Sequence, residues 1–160
     1  DPQGINFWPE PVGRDNTRTP MVWDNSANGG FTGGNGTPWL PVKPPQLARN
    51  VAAQAGIAGS VLESYRAMLA FRRTADVLHG RAATRFLDLP EPGLGFVRGE
   101  GADAVLCLFN LSPTTVTLQE TGLEAQVGPA QNLSLKAGKL ELGPNAYGFF
   151  RLRPGFALTA

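Results

Sequence analysis

Val105-Leu106-Cys107-Leu108-Phe109-Asn110-Leu111 is continuous in its apolar character and has no polar face to offer water. A run of this length, bounded by turn residues, reads as a central strand buried on both faces. Working outward from it, the chain from about Arg81 onward alternates apolar and polar residues with a period of two. The candidate strands are 84–89, 94–98, 103–111, 115–119, 132–135, 139–142 and 146–152, separated by Pro-Gly, Gly-Glu-Gly, Ser-Pro, Ala-Gly and Gly-Pro-Asn turn signals. Short antiparallel strands at this spacing predict a mainly β fold, a β-sandwich spanning about 80–156. Residues 155–160 are expected to fray.

Upstream of the strands the period changes to that of a helix, predicted over 60–74. Ser60, with Glu63 three residues on, has the pattern of a capping box. Val61, Leu62, Tyr65, Met68 and Leu69 form an apolar stripe at spacings of three and four, and Arg72 and Arg73 stand where the negative end of the helix dipole favours cations. Before the helix, residues 1–59 are rich in Pro, Gly and Asn with interleaved aromatics, and no regular period lasts. A loop of that length serves function or lies against a larger body. Trp8, Trp23 and Trp39 predict the same thing, since large apolar side chains call for a covering surface.

Composition narrows the function. The 160 residues are 42% hydrophobic and 17% charged, enough to bury one ordinary core. A net charge of +1, from 14 basic and 13 acidic side chains, gives no field to recruit nucleic acid or an anionic membrane, so neither is expected as a partner. No apolar run reaches the roughly 20 residues of a membrane span. The single Cys107 excludes an internal disulfide and fits a reducing compartment; the single His79 excludes a histidine metal cluster, and no metal site is expected. The opening Asp1-Pro2-Gln3-Gly4 carries neither an initiator Met nor a signal pattern and reads as the interior of a longer chain.

The most chemically specific stretch is Gly13-Arg14-Asp15-Asn16-Thr17-Arg18-Thr19-Pro20-Met21-Val22-Trp23-Asp24. Two guanidinium forks, a carboxylate and an indole suit a polar pocket wall for hydroxyls or carboxylates. This run resembles the Gly-Arg-Asp-x-x-Arg-Thr-Pro-Met-x-Trp signature of bacterial α-glucosidases and oligo-1,6-glucosidases of the α-amylase superfamily, glycoside hydrolase family 13. The flanks Phe7-Trp8-Pro9-Glu10, Gly29-Gly30-Phe31-Thr32 and Pro38-Trp39-Leu40-Pro41-Val42 are similar too.

The resemblance implies the C-terminal part of a retaining glycosidase acting on small α-glucosides, cytoplasmic and without a cofactor. Residues 1–75 would be the tail of a (β/α)8 barrel, with 1–59 the loop after the eighth strand and 60–74 the last helix. Residues 80–156 would be a Greek-key C-terminal sandwich. No catalytic residue is expected in this chain, because the family's catalytic carboxylates lie on earlier barrel strands; the 160 residues alone should be inactive, and the N-terminal barrel is an expected partner along with α-linked glucose oligosaccharides. Arg18 matches the arginine that lines the floor of the −1 glucose pocket; alternatively it only closes a loop. Arg14 either shapes the +1 side or braces the loop through Asp15. Asn16-Thr17 stands where many relatives carry Gly-Cys, which bears on linkage preference. Trp23, Phe31 and Trp39 cover the barrel or, in the rival reading of a free-standing carbohydrate-binding or structural module, form a sugar platform. A transglycosylase acting on sucrose or trehalose would share the same pocket floor.

Overall fold

The computed structural model describes residues 1–33 and 36–159, without the side chain of Asn16; the Gly33-Gly34-Asn35-Gly36 turn expected from sequence falls partly outside the described residues. The chain divides into two compact units, Asp1–Tyr65 and Arg66–Ala160.

The second unit is built on a six-stranded sheet. Its strands are β1 (Thr84–Phe86), β2 (Gly93–Arg98), β3 (Val105–Asn110), β4 (Val116–Gln126), β5 (Gln131–Lys136) and β6 (Lys139–Thr159). They are ordered β1-β2-β3-β6-β4, with β5 also on β6. The β1–β2, β2–β3, β3–β6 and β5–β6 pairs are antiparallel. Between β4 and β6 the pairing advances in jumps. Inside each run, however, partner numbers fall as those of β4 rise: Val116↔Leu142 to Gln119↔Lys139, then Gln119↔Thr159 to Thr121↔Ala157. Each of these local pairings is therefore antiparallel in sense.

Alternation along β3 decides the core. Leu106 and Leu108 enter one apolar cluster with Val97, Leu118, Leu140, Leu142 and Phe150. Val105 and Cys107 enter the other, with Phe71 and Phe149. The strand is thus buried on both faces, as its composition predicts. Each leucine so buried stabilises the fold by roughly 1.5–3 kcal/mol relative to exposure. On the second face the rings form a chain, Phe86–Phe96–Phe109–Phe149–Phe71, with centroid spacings of 5.1–5.9 Å.

Several boundaries differ from expectation. The expected strand 84–89 stops at Phe86; one further bond, from Leu87 N to Gly95 O at 2.9 Å, follows before the segment holding Pro90 and Pro92, which cannot donate to a ladder. Asp103 lies in a 3-10 turn, Gly101–Asp103, rather than in β3. The strands expected at 139–142 and 146–152 are one strand, and 155–159 do not fray: they continue β6 and pair with β4. Gly143-Pro144-Asn145 is therefore a corner in a strand and not its end; Asn145, at φ 52, accepts the left-handed backbone there. The β5–β6 hairpin turns through Ala137 (φ 49) and Gly138 (φ 79), both left-handed, while Lys136 faces Lys139. That is the type I′ geometry that favours Asn-Gly. Ala137→Asn is expected to raise stability by about 0.5–1 kcal/mol in urea unfolding; a lower midpoint would show that the turn is not strained.

In the first unit the loop region contains single helical turns: α1 (Pro2–Asn6), α2 (Pro44–Leu47) and α3 (Val51–Gln54), with 3-10 turns at Asp15–Thr17 and Ala27–Gly30. Helix α4 (Val61–Thr74) follows. Only half of its capping box forms. Ser60 Oγ accepts from Glu63 N at 3.2 Å, but Glu63 Oε1 accepts from Gly56 N at 2.9 Å instead of from Ser60. The apolar stripe is also displaced: Val61 and Tyr65 are exposed, whereas Phe71, one turn beyond the stripe, is buried. Phe71 packs so closely on Gly128 that a Cβ there would lie 2.6 Å from its ring. Among the described residues no helix is long and apolar enough to cross a membrane.

Candidate functional site

The arginine-bearing segment is held by backbone contacts at both ends. At its start, a Cβ on Gly13 would come within 2.9 Å of Gly4 Cα, so only glycine fits this approach of two backbones. Arg14 N donates to Asp1 Oδ2 at 3.0 Å. The chain then makes a 3-10 turn over Asp15–Thr17, in which Arg18 N donates to Asp15 O at 3.1 Å. Thr17 Oγ1 closes the same turn on Arg14 O at 2.8 Å.

At the other end Pro20 and Val22 are buried. Val22 O and Trp23 O accept from Val51 N and Ala52 N at 3.1 and 2.9 Å, satisfying first-turn donors of α3 that no intrahelical carbonyl can reach. Asn50 completes that cap. It is buried, its Oδ1 accepts from Ala53 N at 2.7 Å, and its Nδ2 donates to Leu47 O at 2.7 Å. Gln46 Nε2 reaches back to Thr19 Oγ1 at 2.9 Å. Sequence reading passed over Asn50 and Gln46, although an Asn directly before Val51-Ala52-Ala53 is an N-cap signal. Thr19–Val22, Gln46 and Arg49 line an open hollow of about 330 Å³.

The two arginines end in different states. Arg14 is exposed, and its Nε lies 3.4 Å from Asp1 Oδ2. Its carboxylate partner is thus Asp1 and not Asp15, whose Oδ2 instead takes a bond from the main-chain nitrogen of Asp1 at 3.0 Å. Arg18 is exposed, and its guanidinium has no ion-pair partner among the described residues. Trp23, Phe31 and Trp39 are exposed, Trp39 at 98%. Asp24 closes the segment: Ser26 donates to its Oδ1 from Oγ and from the backbone, which holds the carboxyl below its usual range. Beyond it Gly30 has φ +66, the left-handed backbone that favours glycine.

A family model described as Alpha amylase, catalytic domain, matches residues 1–80. The chain belongs to the alpha-amylase family. Relatives of this alpha-amylase family chain include a probable alpha-glucosidase of Rhizobium meliloti, 44% identical over 117 residues (73% of this chain, 21% of that protein). An oligo-1,6-glucosidase of Parageobacillus thermoglucosidasius is 42% identical over 115 residues (72% and 20%). The chain thus spans about a fifth of the length of these curated relatives. Among solved structures, the alpha-glucosyl transfer enzyme XgtA superposes with a TM-score of 0.79 at 38% identity, over 96% of this chain and 29% of that one. An isomaltulose synthase mutant of Erwinia rhapontici, in complex with D-glucose, gives 0.77 at 28% identity over 89% and 26%. The β-rich second unit accords with a C-terminal β domain of such enzymes.

The other reactive side chains lie elsewhere. His79 is exposed, and its Nε2 meets Arg72 O at the end of α4. Among the described residues no group of three or more His, Cys, Asp or Glu is placed to hold a metal ion. Cys107 is buried, and desolvation pushes its thiol up to about 11 against an opposing pull from Arg98. Such a thiol is inert at neutral pH. An exposed thiol ionises near 9.0, so below that pH both folded and unfolded chains are protonated and the contribution is complete. Between pH 9 and 11 only the unfolded chain releases the proton, and stability falls. Cys107→Ala is expected to remove about 2 kcal/mol of that alkaline loss, read by urea unfolding at pH 8 and pH 11; parallel curves for both proteins would contradict it.

Proposed function

We propose that this chain is the C-terminal part of a retaining α-glucosidase-type glycoside hydrolase acting on small α-glucosides in the cytoplasm. Residues 1–59 are the loop after the eighth barrel strand, 60–74 the last barrel helix, and 80–156 the stabilising C-terminal sandwich. The state of Arg18 carries the reading: its guanidinium is exposed and unpaired among the described residues, on a segment pinned at both ends. In the completed barrel it lies at the floor of the glucose pocket, donating to sugar hydroxyls and pairing with a carboxylate from an earlier loop. Arg14, tied to Asp1, shapes the neighbouring side. The exposed Trp8 and Trp39 bury against the same barrel.

The bond-breaking carboxyl pair of a glycosidase comes from that barrel, so the 160 residues alone are inactive. A transglycosylase is the second reading, favoured by the similarity to XgtA and to isomaltulose synthase. Assay of the full-length enzyme and of this chain with p-nitrophenyl α-glucoside and sucrose separates the possibilities. Hydrolysis by the former and none by the latter is expected. Turnover by the 160-residue chain, or none by the full-length enzyme on any α-glucoside, would overturn the proposal, and an isomeric disaccharide from sucrose would select the transglycosylase.

A further inference from the structure

Within the unit Arg66–Ala160 a hollow of about 630 Å³ opens between the last part of β6 and the 3-10 turn Gly101–Asp103. Its volume falls within the roughly 300–1,000 Å³ of small-molecule sites. One wall is a strand irregularity. Leu123 pairs with Leu152 and Thr121 with Ala157, so residues 153–156 stand opposite Gly122 alone. Gly122 makes this possible, with φ +82 and a position where a Cβ would lie 2.9 Å from Phe156 Cα. Bulges of this kind re-aim side chains out of the regular alternation. Here they present Arg153, Pro154 and Phe156 to the hollow. The facing wall is the Gly99-Glu100-Gly101 turn, whose glycines have φ +78 and +66.

The lining is divided by chemistry. Val97, Ala104, Leu152 and Phe156 make an apolar surface. Arg85, Glu100, Glu124 and Arg153 make a charged rim, drawn from β1, the β2–β3 turn, β4 and β6. None of these rim groups has an ion pair or side-chain hydrogen bond among the described residues, whereas Arg151 is committed to Asp103 and Lys139 to Glu141. The rim's charges cancel, which disfavours a strongly ionic ligand. Guanidinium donors and carboxylate acceptors together suit vicinal hydroxyls, and an aromatic face suits the C–H side of a sugar ring.

We propose that this hollow is a non-catalytic binding site for a neutral oligosaccharide, with Phe156 as its apolar contact and Arg153 and Glu124 as its hydroxyl partners. That the sugar is α-linked glucose rests on the function proposed above; the rest does not. The test is titration of the whole 160-residue chain with isomaltose, maltotriose and cellobiose, followed by amide chemical shifts. Saturable shifts at 97–104 and 152–156 are expected, with Kd raised at least tenfold by Arg153→Ala and by Glu124→Ala and unchanged by Lys136→Ala, an exposed cation of β5 outside the hollow. Phe156→Ala, checked for folding by circular dichroism, should also weaken binding. No saturable shift, shifts confined to 14–24, or a Kd indifferent to the rim variants would overturn the site. Cellobiose binding as tightly as isomaltose would support the hollow while separating it from the α-glucosidase reading.

Discussion

Replacing Arg18 by Ala in the proposed full-length glycosidase is expected to lower kcat about 100-fold, the scale of losing one charge-stabilising donor in a water-excluded site. Folding should survive, because the segment is held by other groups: Gly13 against Gly4, Pro20 and Val22 in the interior, and Val22 O and Trp23 O on the amides of α3. None of these contacts uses the Arg18 side chain. Arg18→Lys should recover only part of the loss, since a point charge cannot fork onto two oxygens at once. Arg14→Ala should do less than either, because that guanidinium is already occupied with Asp1. The readings needed are kcat, KM and Tm for the three variants. A kcat within threefold of the parent for Arg18→Ala would remove Arg18 from the pocket.

The strands were legible because each writes its own alternation. In β3 odd and even residues go to opposite clusters, and no distant information is needed to see that both faces are apolar. What the chain does not write locally is where a strand tolerates a break. Gly143-Pro144-Asn145 and Pro154-Gly155 carry turn chemistry, yet β6 runs through both, since pairing with β3, β4 and β5 outweighs local preference. The helix shows the same limit. Its capping serine and its span were readable, but Phe71 is chosen as the buried residue by Phe149, 5.1 Å away and far along the chain. At the candidate site, residue types alone indicate a polar wall, and only the resemblance gives Arg18 a role. The hollow beside Phe156 is not legible in the sequence because it depends on the pairings Thr121↔Ala157 and Leu123↔Leu152, on either side of Gly122, which hold the expected frayed end in the sheet.

Asn110→Ala is expected to be the most destabilising polar change in the second unit. Asn110 is 1% exposed, the lone amide in an otherwise apolar strand. Its Nδ2 lies 2.6 Å from Thr114 O, 3.0 Å from Leu142 O and 2.8 Å from Gly143 O. Its Oδ1 accepts from Ser112 N at 3.1 Å and from Ser112 Oγ at 3.0 Å. One side chain therefore fastens the end of β3, the turn into β4 and the corner of β6. Alanine leaves those groups facing a void, and each unsatisfied buried partner costs about 1–3 kcal/mol, with incomplete additivity because the loops can relax toward water. A net loss of about 3 kcal/mol follows, which for a unit of this size lowers Tm by roughly 12–20 °C. Asn110→Asp distinguishes this pinning from packing: it keeps the volume and the acceptor but turns a second oxygen toward three carbonyls, so it should be no more stable than Ala. Should Asp retain the parental Tm to within 2 °C, the three carbonyls must be satisfied by other donors and the pin is not Asn110.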